Sequence, residues 1–209
     1  MKIPTIAHRG LLLPALSILV LPALASADGD LRISNGIEAV ECGFGPSVVQ
    51  ISGCTGTLVH PQLMLCAAHC GTNHSTIAFK GIGGQLHVQT ERCEINPGYD
   101  DTETTDWAYC VLKQPVEGIP TTPIAVGCEV LQLAVNGAPV TQCGFGITND
   151  SGTGGGVKRF GHSQIEVANI GKIQVNDTNG VVACPGDSGG PLLAQLSDGS
   201  WRTIGITST

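Results

Sequence analysis

A succession of short apolar runs, each closed by turn residues, limits what this chain can become. Ser47–Ser52, Gly56–His60, Leu63–Ala68, Gln85–Thr90, Asp106–Leu112 and Thr122–Val126 read as strands in the first part of the sequence. Val140–Gly144, Arg159–Val167, Gly171–Val175, Pro191–Leu196 and Thr203–Thr207 read the same way in the second. Pro97-Gly98, Asn136-Gly137, Gly152–Gly156 and Asp198-Gly199 punctuate them. Short strands at this spacing predict an all-β sandwich or barrel. No amphipathic helix longer than two turns is visible. The composition agrees: 29 Gly among 209 residues, with only 13% charged, suits turn-rich β structure better than solvent-faced helices. Aromatics make up 4%, so Val, Ile, Leu and Ala must build the core.

The stretch 115–122 (PVEGIPTT) is the best crossing between two halves, and Gly152–Gly156 reads as a surface loop rather than a linker. No internal repeat is present. The net charge is -7, and the longest basic run is Lys158-Arg159. Nucleic-acid binding calls for a basic face, so a polyanionic partner is not expected.

The first residues read as a secretory signal. Lys2, His8 and Arg9 precede an apolar stretch at 11–25, and Ala25-Ser26-Ala27 supplies a small-residue cleavage site. Residues 1–27 are therefore expected to be removed. A membrane anchor is the weaker reading, because the apolar stretch is short for a ~30 Å hydrocarbon core and Pro14 and Pro22 interrupt it. The nine cysteines all follow this segment and fit an oxidising compartment. An odd number leaves one thiol without an internal partner.

Three segments carry chemistry. Cys54-Thr55-Gly56-Thr57-Leu58-Val59 is followed by Leu65-Cys66-Ala67-Ala68-His69-Cys70; Thr105-Asp106-Trp107-Ala108 comes next; Cys184-Pro185-Gly186-Asp187-Ser188-Gly189-Gly190-Pro191 comes last. Together they resemble the trypsin/chymotrypsin family of serine proteases, from Ile33 to the last residue. The order His, Asp, Ser is that family's and not the subtilisin or α/β-hydrolase order. The resemblance implies two six-stranded antiparallel β-barrels, the first at about 33–117 and the second at about 118–209.

The residue chemistry points the same way. A serine hydroxyl is a poor nucleophile at neutral pH and needs a base, which in turn needs an orienting partner. His69 can take the Ser188 proton and return it to a leaving amine, while Asp106 holds the imidazole tautomer. The backbone N–H groups of Gly186 and Ser188 can converge on a developing oxyanion, each such donor contributing about 3–4 kcal/mol in the transition state. Each feature has a plainer reading. His69 with Cys70 and Cys54 could bind zinc, although no C-x-x-C pair is present. Asp106 could cap a turn, and the Gly186–Gly190 string could be an ordinary loop. All three plainer readings must hold together for the protease reading to fail.

Arg32-Ile33-Ser34-Asn35-Gly36 resembles the family's activation site, with Ser34 and Asn35 departing from the commonest form. The resemblance implies a short propeptide at 28–32, a protease at 33–209, cleavage after Arg32 by an Arg-specific activating protease, and an Ile33 ammonium that pairs with Asp187. It also implies a Cys54–Cys70 disulfide. Cys66 and Cys110, on neighbouring apolar strands, are expected either to form a second bridge or to remain buried thiols. Cys42, Cys93, Cys128 and Cys143 are left unassigned. The family partner of Cys184 lies beyond the final barrel strand, where this sequence has none. The second barrel is therefore expected to be incomplete, with an exposed strand edge.

Six residues before Ser188, where the resemblance places the floor of the primary pocket, stands Val182. Trypsin-like enzymes carry Asp there, so an aliphatic or aromatic P1 residue is expected. The expected product is a secreted, monomeric endopeptidase acting on proteins or peptides, with no cofactor and no metal. A catalytically silent protease-like binding module is the alternative, and a non-enzymatic β-sandwich a third. Asn73, Asn149 and Asn176 begin N-x-S/T sequons.

Overall fold

A computed structural model describes residues 33, 36–39, 43–81, 84–149, 151–176 and 181–209. The expected signal segment 1–27, the propeptide 28–32 with Arg32, and Cys42 lie outside the described residues. Within them the chain is nearly all β. Its strands are β1 Ile37–Glu38, β2 Val48–Ile51, β3 Cys54–His60, β4 Leu63–Cys66, β5 Thr76–Gly81, β6 Gly84–Ile95 and β7 Ala108–Leu112 in the first half. β8 Pro139–Gly144, β9 Arg159–Asn169, β10 Lys172–Val175, β11 Pro191–Gln195 and β12 Trp201–Ile206 follow. One short helix, α1 Cys128–Leu133, and a single 3-10 turn at Ala68–Cys70 complete the elements.

The strands form two six-stranded antiparallel sheets. The first runs β2-β3-β4-β7-β6-β5, and its two edges approach each other, so it is nearly a closed barrel. The second runs β1-β9-β8-β11-β12, with β10 also paired to β9. This is the chymotrypsin-like double-barrel architecture that the motif order implied. Alternation builds the first core: on β7, Ala108, Cys110 and Leu112 are buried while the residues between them are not. They pack with Leu58, Met64, Ile77 and Phe79, all of them 0–1% exposed. The second core is smaller and aliphatic, formed by Val140, Ile165, Leu192 and Ala194 with Leu133 of α1.

Three expectations need adjustment. Thr122–Val126 is not a strand; it makes one parallel bridge, Ile124 to Thr203, and lies along the outer edge of β12. The Ala125 N–H donates to Thr203 O and the Thr203 N–H to Pro123 O, so part of the edge expected to be exposed is covered by the crossing segment. The second disulfide joins Cys93 to Cys110, not Cys66 to Cys110. Register explains it: Cys110 faces Cys93 on β6 and Met64 on β4, whereas Cys66 faces Ala108. Cys66 is a buried thiol, the second of the two outcomes left open, and burial pushes it up to about 12.

Candidate active site

The crevice between the two sheets gathers side chains from both. His69 sits on the 3-10 turn directly after β4, and its neighbour Cys70 is bonded to Cys54 at the start of β3. The disulfide implied by the resemblance is therefore present, and it anchors the turn that carries the imidazole. Cys54, His69 and Cys70 have their ligand-type atoms within 4.8 Å of one another, but the two sulfurs are bonded to each other and are not thiolate ligands.

Asp106 precedes β7 and its side chain is 3% exposed. Its Oδ2 lies 2.6 Å from His69 Nδ1, and its Oδ1 accepts the His69 backbone N–H at 2.9 Å. Ser208 donates its hydroxyl to Oδ2 at 2.7 Å. Burial alone pushes this carboxyl up, but the bonds from the Ser208 hydroxyl, the His69 N–H and the imidazole outweigh it and hold the carboxyl below its ordinary range. An ionised carboxylate only accepts, so Nδ1 carries the hydrogen and Nε2 is left with a lone pair. That is the tautomer a general base needs.

Ser188 is 2% exposed and lies on the tight loop before β11. Gly186 in that loop has φ 98°, which an L side chain rarely adopts, and a methyl added there would meet the Gly146 Cα at 3.0 Å. A methyl on Gly189 would collide with the Thr55 carbonyl oxygen. Among the described residues, the backbone N–H groups of Gly186 and Ser188 donate to no protein acceptor. Two unspent donors on one turn are what an oxyanion site requires.

Thr55 of β3 ties this loop to the first sheet. Its N–H donates to Ser188 O at 2.8 Å, its hydroxyl donates to Gly186 O at 2.8 Å, and the same hydroxyl accepts the Phe145 N–H at 3.1 Å. Cys70 Sγ approaches Ser188 O at 3.8 Å. The His69 and Ser188 segments are thus neighbours. The Ser188 hydroxyl itself, however, bonds to Thr209, at 2.8 Å to Oγ1 and 3.2 Å to the main-chain oxygen. No hydrogen bond joins it to His69 among the described residues. Catalytic hydrogen bonds are often unformed without substrate, so this does not argue against the pair.

Asp187 is 2% exposed, its Oδ1 accepting the Gly146 N–H at 2.7 Å and its Oδ2 the Cys184 N–H at 2.9 Å. Burial pushes this carboxyl up, against the pull of those two N–H groups and of Arg159. A side chain on Gly144 or Gly146 would run into it. Ile33 is also buried, and its carbonyl accepts the Gly36 N–H. Val182 is 46% exposed, and its carbonyl accepts a weak bond from Cys184 Sγ.

Sequence reasoning missed Thr55, Ser208, Thr209 and the Gly144-Phe145-Gly146 cradle. Only the last left a signal, as two glycines flanking an aromatic residue at the end of a strand.

A double β-sheet fold with an imidazole–carboxylate pair facing a serine loop defines a chymotrypsin-like hydrolase scaffold. The chain belongs to the trypsin family of serine proteases, since the family model described as Trypsin matches residues 36–209. It is similar to a trypsin-like protease of Streptomyces glaucescens, 28% identical over 212 aligned positions that cover 90% of this chain and 76% of that protein. It is also similar to chymotrypsin-C of Rattus norvegicus, 28% identical over 178 positions, covering 74% of this chain and 66% of that protein. Brachyurin of Leptuca pugilator is 27% identical over 175 positions, 74% of each chain.

Proposed function

We propose that this protein is a secreted serine endopeptidase in which Ser188 is the nucleophile, His69 the general base and Asp106 the group that orients the imidazole. The observation that carries the reading is the 2.6 Å His69–Asp106 contact, which leaves Nε2 as a lone pair in the crevice that holds Ser188. Ser188 Oγ attacks the scissile carbonyl carbon as His69 Nε2 takes its proton. The oxyanion accepts from the N–H groups of Gly186 and Ser188. His69 then protonates the leaving amine, and water releases the acyl group by the same route in reverse. No cofactor enters these steps.

The test is a fluorophosphonate probe. Ser188 is expected to be the labelled residue, and Ser188→Ala and His69→Ala to abolish labelling; equal labelling of the Ser188→Ala variant would overturn the assignment. Activation is part of the reading: an Arg-specific protease cleaves after Arg32, and the new Ile33 ammonium neutralises the buried Asp187 carboxylate, which is costly unpaired. Arg32→Gln is then an inert precursor, and full activity in that variant removes this route. The exposed Val182 supports an apolar P1, and a panel of P1-varied peptides that favours Arg would contradict it.

A second reading, a catalytically silent binding module, draws on the bonds from the Ser188 hydroxyl to Thr209 in place of His69. The same probe separates the two, since a silent module takes no label.

A further inference from the structure

We propose that Thr209 is a positioning residue for the nucleophile, its side-chain hydroxyl holding Ser188 Oγ in a resting orientation from which the hydroxyl must be released to His69. This rests on the reading of Ser188 as nucleophile. Ser188 has one proton to give. The 2.8 Å contact to Thr209 Oγ1 and the 3.2 Å contact to the Thr209 main-chain oxygen both take it away from the imidazole. The Thr209 N–H also reaches Ser188 Oγ, at 3.4 Å. Thr209 Oγ1 has its own acceptor, the Cys184 carbonyl at 3.4 Å, so Oγ1 is free to accept from the serine. One residue therefore meets the nucleophile through three of its polar atoms.

The residue before it completes the arrangement. Ser208 bonds Asp106 while Thr209 bonds Ser188, so two consecutive residues connect the carboxylate to the nucleophile without passing through the imidazole. They follow β12 directly, and the Gly189 and Thr207 backbones pair beside them, the Gly189 N–H donating to Thr207 O. The serine loop and the Ser208-Thr209 segment thus move together. A ligand that draws Thr209 aside frees the serine hydroxyl and leaves the carboxylate bond in place. Thr209 itself is exposed, so a ligand entering the crevice meets it directly.

The strength of the hold follows from the contact. A neutral hydrogen bond in a folded protein contributes about 0.5–1.5 kcal/mol, so removing the Oγ1 acceptor shifts Ser188 toward His69 by about threefold to tenfold. The main-chain contact remains, which keeps the effect at that size.

The experiment compares Thr209→Val and Thr209→Ser with the wild type, using a small fluorophosphonate. In labelling, the Ser188 O–P bond forms, the P–F bond breaks, fluoride leaves and His69 takes the serine proton. Thr209→Val is expected to raise the maximal inactivation rate about threefold to tenfold with no change in the probe's half-saturation concentration. Thr209→Ser, which keeps a hydroxyl, should return the rate to that of the wild type. A purely structural role would instead move the thermal midpoint and both kinetic constants. Thr209→Ala repeats the test should the valine variant not fold. A wild-type protein that labels at Ser188, with Val and Ala variants equally fast or slower, overturns the role of Thr209 alone. Absence of label in wild type and variants alike overturns the protease reading and this proposal with it.

Discussion

Asp106 is held ionised by three donors against its own burial, and this fixes the sign of its effect on stability. Its carboxyl lies below the ordinary value of 3.8 in the folded protein. A depressed carboxyl stabilises the fold above its unfolded value, and the stabilisation is lost as pH falls through the folded value. Wild type should therefore lose more stability than Asp106→Asn on acidification from about pH 5 to about pH 2; equal slopes in denaturant melts across that window would refute the assignment. Asp187 has the opposite sign, because burial raises it and its ionisation costs stability as pH rises. At neutral pH Asp106→Asn should also lower kcat by about 10⁴-fold, because an amide facing Nδ1 allows the other tautomer. The three motif residues were readable because each sits in a distinctive string. Ser208 and Thr209 were not, since a hydroxyl residue in a run such as Ile206-Thr207-Ser208-Thr209 has no local signature, and its role appears only once the fold brings it against Asp106 and Ser188.

At the scale of elements, most strands followed from alternation and turns, and the exceptions have physical causes. β5 was missed because Gly81, Gly83 and Gly84 make the turn after it look like an extended loop. β6 continues past Thr90 to Ile95 through Glu91, Arg92 and Glu94, charged residues that lie on an exposed face, where Arg92 and Glu94 pair at 2.8 Å. The choice between Cys66 and Cys93 for Cys110 depended on register across three strands, and a one-residue shift changes the partner. The turn bearing His69 is only three residues long and cannot hold its shape by itself. Its constraint is the Cys54–Cys70 bridge, which closes a separation of 16 residues. Replacing both cysteines by Ala should lower stability by about 3 kcal/mol. It should reduce the labelling rate of Ser188 more than the melting shift explains, since His69 loses its anchor. Unchanged labelling in the folded variant would show that β4 alone positions the imidazole.

The molecule as a whole works only if two independently cored sheets keep a fixed distance, because His69 and Asp106 come from one and Ser188 from the other. Two sets of bonds hold that distance. The crossing segment straps the sheets at their base: Ser47 and Thr122 hydroxyls meet at 2.6 Å, and the Thr203 hydroxyl donates to Thr122 O at 3.0 Å. Near the chemistry the link is Thr55, which is 0% exposed and bonds Gly186, Ser188 and Phe145 of the second half. Thr55→Val keeps the shape and removes the hydroxyl, leaving Gly186 O and the Phe145 N–H buried without their partner. An unsatisfied buried group costs about 1–3 kcal/mol, so the thermal midpoint should fall measurably. The larger effect should be on chemistry. Gly186 supplies an oxyanion donor, and a donor displaced by even part of an ångström loses much of a contribution of about 3–4 kcal/mol. The expected signature is a fall in kcat of about tenfold or more with KM nearly unchanged, because the donor acts on the transition state and not on the bound peptide. Thr55→Ser, which keeps the hydroxyl, should recover kcat. If Thr55→Val instead lowers the melting point while kcat is preserved, the hydroxyl only joins the two sheets, and the geometry of the Gly186 turn is set within the second sheet alone.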